Sequence, residues 1–203
     1  MTTADLRERR FDPVVHGQRL FRQVLEATAR PGSLVSLEDL PLEAPEPRLR
    51  GACALLLALL DLEVTFHAMG PGAPRLADYV MANTGTRLTP LEAADFVLIA
   101  GRDSAGRVAL AKRGSLVAPH GGATLLYAPD WLSMLPRPDG VTLCLRGPGI
   151  PDARHLAIGG ITPAEIECWK RLNDFPLGVD IWLAASDGQL AAIPRSIRWD
   201  QEA

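Results

Sequence analysis

Four short apolar runs, each bounded by glycine, proline or aspartate, constrain the fold of this chain more than any other feature. Their apolar residues are contiguous rather than alternating, and each run is shorter than a typical helix. The runs are Phe96–Ala100, Ala123–Ala128, Val141–Leu145 and Val179–Ala185. Such runs are typical of strands buried on both faces, and a sheet made of them needs covering helices. We therefore predict a single-domain α/β protein with a mixed sheet flanked by helices.

The sequence around Asp12 and Pro13 predicts the start of a helix that runs to about Ala29. Aspartate is a favoured N-cap residue, and proline suits the first helical position because the N–H there has no intrahelical partner. The preceding residues, 1–11, are polar and charged, so we expect a flexible tail followed by one domain over residues 12–203. The apolar face of this helix is predicted to contain Val14, Leu20, Phe21, Val24, Leu25 and Thr28.

Composition and capping indicate two further helices. Ala52–Leu60 is rich in alanine and leucine and predicts a buried helix, followed by a strand at Val64–His67. A third helix is expected to begin at Thr162 and to end near Asn173. Glu165 stands three residues after Thr162, which predicts a capping box, in which the glutamate side chain accepts a hydrogen bond from the N-cap N–H.

The stretch from Phe175 to Ser196 contains the clearest turn signal in the chain. Asp187-Gly188 separates the apolar run Val179–Ala185 from a second one at Leu190–Ile193. Because aspartate and glycine both tolerate positive φ, this pair between two apolar runs predicts a β-hairpin with a well-defined register. A short strand is also expected at Leu34–Leu37, where apolar and polar residues alternate.

Charge and hydropathy exclude several classes of partner. Lysine and arginine total 21 against 24 acidic residues, a net charge of −3, so the chain has no basic field to attract nucleic acid. The longest apolar run, Ala52–Leu60, falls short of the roughly 20 residues that a membrane-spanning helix needs. The N-terminus also lacks the apolar core of a secretory signal. We therefore expect a cytoplasmic protein without membrane contact, whose three cysteines are reduced.

Two arrangements that could support catalysis are incomplete. The histidines could bind a metal ion together with Cys144 or Cys168, but none is paired at a helical or zinc-finger spacing, so we predict no metal site. The four are His16, His67, His120 and His155. His120-Gly121-Gly122 is similar to the oxyanion loop of some esterases, yet no G-x-S-x-G nucleophile elbow accompanies it. A glycine turn entering a strand is the expected structure.

Three basic side chains remain as candidates for ligand binding. Lys112 is the one serious candidate for a Schiff base with pyridoxal phosphate, although a solvated charge at a strand end is the commoner use. Arg22 and Arg195 could each clamp a phosphate or carboxylate with two parallel hydrogen bonds. The structural alternatives are that Arg22 covers the solvent side of its helix and that Arg195 pairs with an acid such as Asp180.

Several segments along the chain form a series of motifs. Two lie near the C-terminus, FPLGVD and AIPR, which occupy residues 175–180 and 192–195. The others are Phe21-Arg22 to Pro31-Gly32, Ala118-Pro119 with Gly122 to Leu125, and Leu145 to Ile150. In order and spacing, along nearly the whole chain, this series resembles one family, the H subunit (PhnH) of the bacterial carbon–phosphorus lyase system. FPLGVD and AIPR are its most specific motifs.

This resemblance implies a cytoplasmic subunit of the phosphonate-degrading core complex, beside the G, I and J subunits. In that system the adenine of ATP is replaced by a phosphonate, and another subunit later breaks the carbon–phosphorus bond by radical chemistry. The family is also similar to the large domain of pyridoxal-phosphate-dependent transferases but lacks the cofactor, and its members form homodimers. No catalytic residue is implied for this chain, so we expect a noncatalytic or assisting subunit.

Four residues are the candidate binding residues of this chain for phosphonate or ATP: Arg22, His120, Asp180 and Arg195. An alternative is a stand-alone protein or enzyme that holds an anionic ligand in a cleft at a dimer interface. A third possibility is an enzyme that retains pyridoxal phosphate on Lys112. No cofactor and no metal ion are expected in the favoured interpretation.

Overall fold

The computed structural model describes residues 6–37 and 40–202, which contain four α-helices and eleven strands. The helices are α1 (Val15–Ala29), α2 (Arg50–Leu59), α3 (Ala73–Thr84) and α4 (Pro163–Leu172). The strands are β1 (Val35–Ser36), β2 (Thr65–Met69), β3 (Arg87–Leu88), β4 (Phe96–Ile99), β5 (Thr124–Tyr127), β6 (Trp131–Ser133), β7 (Gly140–Arg146), β8 (Arg154–Gly159), β9 (Asp180–Ala184), β10 (Gln189–Ile193) and β11 (Arg198–Glu202).

A mixed seven-stranded sheet forms the centre of the fold, as predicted. Its strand order is β1-β10-β9-β5-β4-β2-β3. The five strands from β9 to β3 are parallel, whereas β10 and β1 are antiparallel to their neighbours. Phe96, Thr124 and Asp180 lie side by side in the register, so the amino ends of β4, β5 and β9 meet at one edge of the sheet.

A second sheet, which the sequence did not predict, covers one face of the first. It is antiparallel, with the order β11-β7-β8-β6. The run Val141–Leu145 belongs to this sheet, in β7, and not to the central one. Helices flank the central sheet as predicted, but on this face α4 shares the covering layer with the small sheet. A contiguous apolar run indicates a strand buried on both sides but does not indicate which sheet it joins.

Two apolar cores separate three layers. The first lies between the central sheet and the layer formed by the small sheet and α4; it includes Leu125, Ile181, Leu143, Ile158 and Trp169. The second lies between the opposite face of the central sheet and the helices α1, α2 and α3. Its members include Leu20, Leu55, Leu76, Leu98 and Leu126. The layers explain why, within both β4 and β5, every residue after the first is buried.

The first helix ends at the predicted residue, Ala29, but it begins at Val15 and not at Pro13 as predicted. Asp12 Oδ1 accepts hydrogen bonds from the backbone N–H groups of Val14 and Val15, at 2.8 and 3.1 Å, as an N-cap residue does. The helix ends at Ala29, where Arg30 follows as the C-cap.

The predicted apolar face of α1 was partly wrong. The buried stripe consists of Gly17, Leu20, Val24 and Ala27, which point into the second core. By contrast, Val14, Phe21 and Leu25 are exposed. Glycine and alanine contribute little to a hydropathy pattern. The buried stripe contains one of each, so its hydropathy signal was weaker than that of the exposed stripe beside it.

The helix at Thr162 is present, but its capping box is not. Thr162 Oγ1 accepts a hydrogen bond from Glu165 N, which caps the helix as predicted. The N–H of Thr162, however, donates to the carbonyl of Arg102. The carboxylate of Glu165 instead lies in the first core, because it accepts hydrogen bonds from Ser104 and Tyr127.

The Asp187-Gly188 hairpin is confirmed, since Leu190 of β10 pairs with Ala184 of β9 in an antiparallel ladder.

Of the tail predicted over residues 1–11, residues 1–5 lie outside the described residues. Nearer the domain, Asn83 of α3 donates to the carbonyl of Leu6 and accepts from Glu8 N, and Phe11 is buried.

The three cysteines are free thiols, as predicted. In the described part of the chain, every helix is too short or too polar to cross a lipid bilayer.

Candidate functional site

Arg195, which follows β10, forms the most extensive polar contact at the amino edge of the central sheet. Its Nε and Nη2 donate to Asp180 Oδ1 and Oδ2, at 3.2 and 2.6 Å. Its backbone N–H also donates to Asp180 Oδ1, at 2.9 Å. Nη1 donates to the carbonyl of Pro119 at 2.5 Å. Only 13% of the Arg195 side chain is exposed, so this bidentate pair is largely shielded from solvent.

A glycine makes this close approach possible. Gly122 ends the loop that follows Pro119 and is separated from β5 only by Ala123. A Cβ atom on Gly122 would collide with the carbonyl oxygen of Gly178 and would lie 2.5 Å from Arg195 Nη1. The glycine turn predicted at Gly121-Gly122 is therefore present, and its second glycine leaves space for the arginine.

A second ion pair lies along the same edge. Lys112 Nζ donates to Asp95, which directly precedes β4. Asp95 Oδ2 also accepts from the N–H and the hydroxyl of Thr65, at 2.7 and 2.6 Å. Although burial alone would raise it, the pKa of Asp95 lies below its ordinary value, since Lys112 and Thr65 stabilise the carboxylate by hydrogen bonds. Both carboxylates at this edge thus have a cationic partner.

An open cleft of about 820 Å³ begins at Arg195 and continues between the end of α4 and the edge strand β11. Four cationic residues line it, against two acidic ones, Asp174 and Asp200. The cations are Arg146, Lys170, Arg195 and Arg198. Asp200 forms ion pairs with both Arg146 and Lys170. The nitrogen–oxygen distances in these pairs are long, 3.6 and 3.8 Å, so neither cation is tightly held.

Two buried N–H groups in the wall of this cleft lack a hydrogen-bond partner. They are Nε1 of Trp199 and Nδ2 of Asn173, and no acceptor for either is found within residues 6–37 and 40–202. The other end of the Asn173 amide is fixed, because Oδ1 accepts from Val179 N at 2.8 Å. Buried donors without acceptors are uncommon in proteins. Together with four cations, they make this cleft suitable for an anionic ligand.

The structure brings together two of the four predicted site residues. Asp180 and Arg195 are in contact, as the structural alternative for Arg195 stated. His120 is next to Pro119, whose carbonyl accepts from Arg195, but its own side chain is exposed and does not line the cleft. Arg22 is exposed on α1 and lines a separate, shallower depression together with residues of α1 and β1.

Most residues of the cleft were not predicted as site residues. Trp199 and Arg198 belong to β11, whose sequence RWDQE carries four polar residues out of five and gave no strand signal. Arg146 and Lys170 are ordinary surface cations when only the sequence is considered. The signal that could have indicated them is their position. Lys170 is in the last turn of α4, shortly before the motif at residues 175–180, and Arg146 ends β7 within the family segment Leu145 to Ile150.

A buried polar cluster near the opposite edge of the central sheet was also missed. Glu165 is only 1% exposed and accepts hydrogen bonds from Tyr127 Oη at 2.5 Å and from Ser104 N and Oγ at 3.0 Å. Trp169 Nε1 donates to Tyr127 Oη at 2.8 Å. Burial, followed by the neighbouring Glu165 carboxylate, raises the pKa of Tyr127 well above its ordinary value. Because its partners are all internal, this cluster stabilises the first core.

Comparison with known proteins gives two concordant results. Residues 10–200 match the family described as bacterial phosphonate metabolism protein (PhnH). A protein of Stutzerimonas stutzeri named "Putative C-P lyase subunit protein HtxG" is 33% identical over 184 residues, which cover 88% of this chain and 83% of that protein. The matched residues include Gly122, Asp180 and Arg195. The chain therefore belongs to the PhnH family of bacterial phosphonate metabolism proteins.

Proposed function

We propose that this chain is an assisting subunit of a carbon–phosphorus lyase complex and that it helps to transfer a phosphonate onto the ribose of ATP, with displacement of adenine. The observation that carries the proposal is the family match, which extends over residues 10–200. The relative named as a subunit of such a system supports it. In this proposal the chain acts in the cytoplasm, as a homodimer or in contact with the G, I and J subunits.

Exposed apolar side chains support a role in assembly. Leu116 and Val117 are 77% and 96% exposed at the tip of the loop before Pro119. Phe175, in the loop after α4, is 67% exposed. One hydrogen bond joins the chain segments that carry these two loops, because Gly178 N donates to the carbonyl of Arg113. Clustered apolar groups on a surface are typical of protein contacts.

The hypothesis that Lys112 carries pyridoxal phosphate has little support. A Schiff base needs a neutral amine that can reach a carbonyl, but the Lys112 ammonium is paired with Asp95. The pair would have to break before the amine could react. We therefore favour the interpretation without the cofactor, in a fold similar to that of the pyridoxal-phosphate transferases.

Genetic complementation tests the proposed function. In a host whose carbon–phosphorus lyase system lacks only its PhnH-family subunit, we expect this chain to restore growth on methylphosphonate as the sole phosphorus source. Extracts with the chain should release adenine from ATP and methylphosphonate, because adenine leaves as the phosphonate oxygen bonds to the ribose. Growth on inorganic phosphate is the control. Growth on methylphosphonate without any PhnH-family subunit would contradict the proposal.

A second candidate function is anion binding by the isolated protein, favoured by the cleft with its unpaired donors on Trp199 and Asn173. Isothermal calorimetry with ATP and with methylphosphonate tests it. Arg198→Gln is the informative variant, because Arg198 is exposed, lines the cleft and forms no ion pair with any residue that the structure describes. The matched control is Arg137→Gln, in an exposed arginine outside the cleft. Saturable binding lost only in Arg198→Gln would support this function, and equal binding by both variants would exclude the cleft.

A further inference from the structure

Three metal-binding side chains converge on the small antiparallel sheet, outside the cleft. Cys144, His155 and Glu202 each offer a ligand atom, and these atoms lie within 4.8 Å of one another. His155 Nε2 is 2.9 Å from Glu202 Oε1. In the sequence they are too far apart to form a motif, which is why no metal site was predicted; the sheet brings them together.

The strand register explains this convergence. Cys144 of β7 pairs directly with His155 of β8 on one side and with Asp200 of β11 on the other. Glu202 lies two residues beyond Asp200, and side chains two apart in a strand point to the same face. The three donors therefore project from one face of three hydrogen-bonded strands. Such a framework is more rigid than a loop, because each strand is fixed by its neighbours.

The donors suit zinc by both chemistry and spacing. Zn²⁺ prefers cysteine sulfur, histidine nitrogen and carboxylate oxygen, with bonds of about 2.3, 2.0 and 2.0–2.2 Å. In a tetrahedron with such bonds, neighbouring ligand atoms are separated by about 3.2–3.6 Å. The 2.9 Å separation of His155 and Glu202 is close to this range, and no pair exceeds 4.8 Å. Displacements of about 1 Å or less would complete the geometry.

Burial and charge differ among the three residues in a way that also suits a cation. Cys144 is buried, whereas His155 and Glu202 are exposed, so an ion can enter from the solvent side. A thiolate and a carboxylate would together balance the two charges of Zn²⁺. The carboxylate of the neighbouring Asp200 is directed toward Arg146 and Lys170. It is thus available as a fourth ligand only if those long ion pairs break.

We propose that Cys144, His155 and Glu202 form a zinc site with three protein ligands and one position open to water. On binding, the Cys144 thiol releases its proton to the solvent as the sulfur–zinc bond forms. Zinc also replaces the hydrogen bond between His155 Nε2 and Glu202, and the Nε2 proton moves through the solvent to Nδ1, so that the imidazole stays neutral. The ion would tie the C-terminal edge strand β11 to β7 and β8. This inference concerns the small sheet and is independent of the proposed role in phosphonate transfer.

Cobalt substitution of the full-length protein tests the site directly. Purified, metal-free protein is titrated with Co²⁺, which gives intense visible bands in a tetrahedral site and a near-ultraviolet charge-transfer band when a thiolate is bound. We expect both to saturate at one ion per chain and to disappear when one equivalent of Zn²⁺ is added. In Cys144→Ser the charge-transfer band should be absent. The control Cys168→Ser changes a half-buried thiol outside the cluster and should retain it.

A second variant covers the case in which Cys144→Ser does not fold. Glu202→Gln changes an exposed residue at the end of β11 and removes one charged ligand with little change in shape. Its zinc affinity, measured by competition with a chromophoric chelator, should fall at least about tenfold, since even residues that only support a metal ligand have effects of that size. No saturable Co²⁺ binding by the wild type, or unchanged affinity in Glu202→Gln, would overturn the proposal.

Discussion

Arg195 uses its guanidinium to hold the C-terminal motif together. Three of its N–H groups donate to Asp180 and Pro119, and its backbone N–H donates to Asp180 as well. The two motifs most specific to the family, at residues 175–180 and 192–195, therefore contact each other through this pair. This contact gives Arg195 and Asp180 a structural role that does not depend on a bound ligand.

Replacing Arg195 by methionine should destabilise the protein by about 2–4 kcal/mol. The change leaves the Asp180 carboxylate without its bidentate partner in a site that is mostly shielded, and such losses are costly. The measurement is urea-induced unfolding followed by circular dichroism. Arg137→Met is the control: it removes a solvent-exposed pair with Asp139 and a cation–π contact with Trp131, and should cost less than about 1.5 kcal/mol. Equal effects of the two substitutions would contradict this account of the pair.

Both tyrosines should remain protonated in the folded protein at alkaline pH. Burial raises the pKa of Tyr79 and of Tyr127 above the ordinary value, with the carboxylates of Glu8 and Glu165 adding to the effect. Because the unfolded tyrosines lose their protons near pH 10, the folded state binds more protons above that value. The stability that these groups contribute is thus complete below about pH 10 and is lost as the pH rises further.

Phenolate absorbance measures this directly, since the chain has only two tyrosines. Between about pH 9 and pH 11 the folded protein should show almost no phenolate signal, whereas the protein unfolded in guanidinium should titrate fully near pH 10. A normal titration of one tyrosine while the far-ultraviolet circular dichroism stays native would show that one of the two is accessible.

The glycine loop before β5 provides a matched pair of substitutions. Gly122→Ala should cost about 2–3 kcal/mol, because the added methyl group collides with Gly178 and Arg195 in a packed site. Gly121→Ala adds a methyl group where no atom lies within 4 Å and should change stability by less than about 0.5 kcal/mol. Urea unfolding of both variants measures the difference. Similar losses would mean that the loop does not approach Arg195 as described.

Elements with a strong local signal were predicted well from the sequence. α2, β4, β5 and the β9–β10 hairpin each consist of an apolar run or carry a diagnostic turn such as Asp187-Gly188. β11 and β8 were missed because their stability comes from pairing with β7, a contact between residues that are distant in sequence. The zinc ligands and the cleft were missed for the same reason, since both depend on where β11 lies.

For individual residues, the sequence proposed the contact between Arg195 and Asp180 but gave the wrong role to Glu165. A glutamate three residues after a threonine N-cap usually completes a capping box. Here the helix places its side chain over β5, where the hydroxyl groups of Tyr127 and Ser104 satisfy it inside the core. No local pattern distinguishes these two outcomes, because the decisive neighbours belong to other elements.

In the molecule as a whole, the charged groups and the exposed apolar groups lie in neighbouring but different places. The amino edge of the central sheet and the cleft beside it contain the charges, whereas the exposed apolar groups Leu116, Val117 and Phe175 are on the adjoining loops. We propose that a partner subunit covers these loops and closes the cleft. Both carboxylates at this edge, Asp95 and Asp180, are held in ion pairs.

The proposed partner role is tested most directly by co-purification. The tagged chain is expressed together with the other subunits of its carbon–phosphorus lyase system, captured by the tag and analysed by gel filtration. We predict that it elutes with the G, I and J subunits, and that a variant with Leu116→Asp and Val117→Asp folds normally but elutes without them. Elution of the wild-type chain alone, under conditions where the other subunits assemble, would contradict the account.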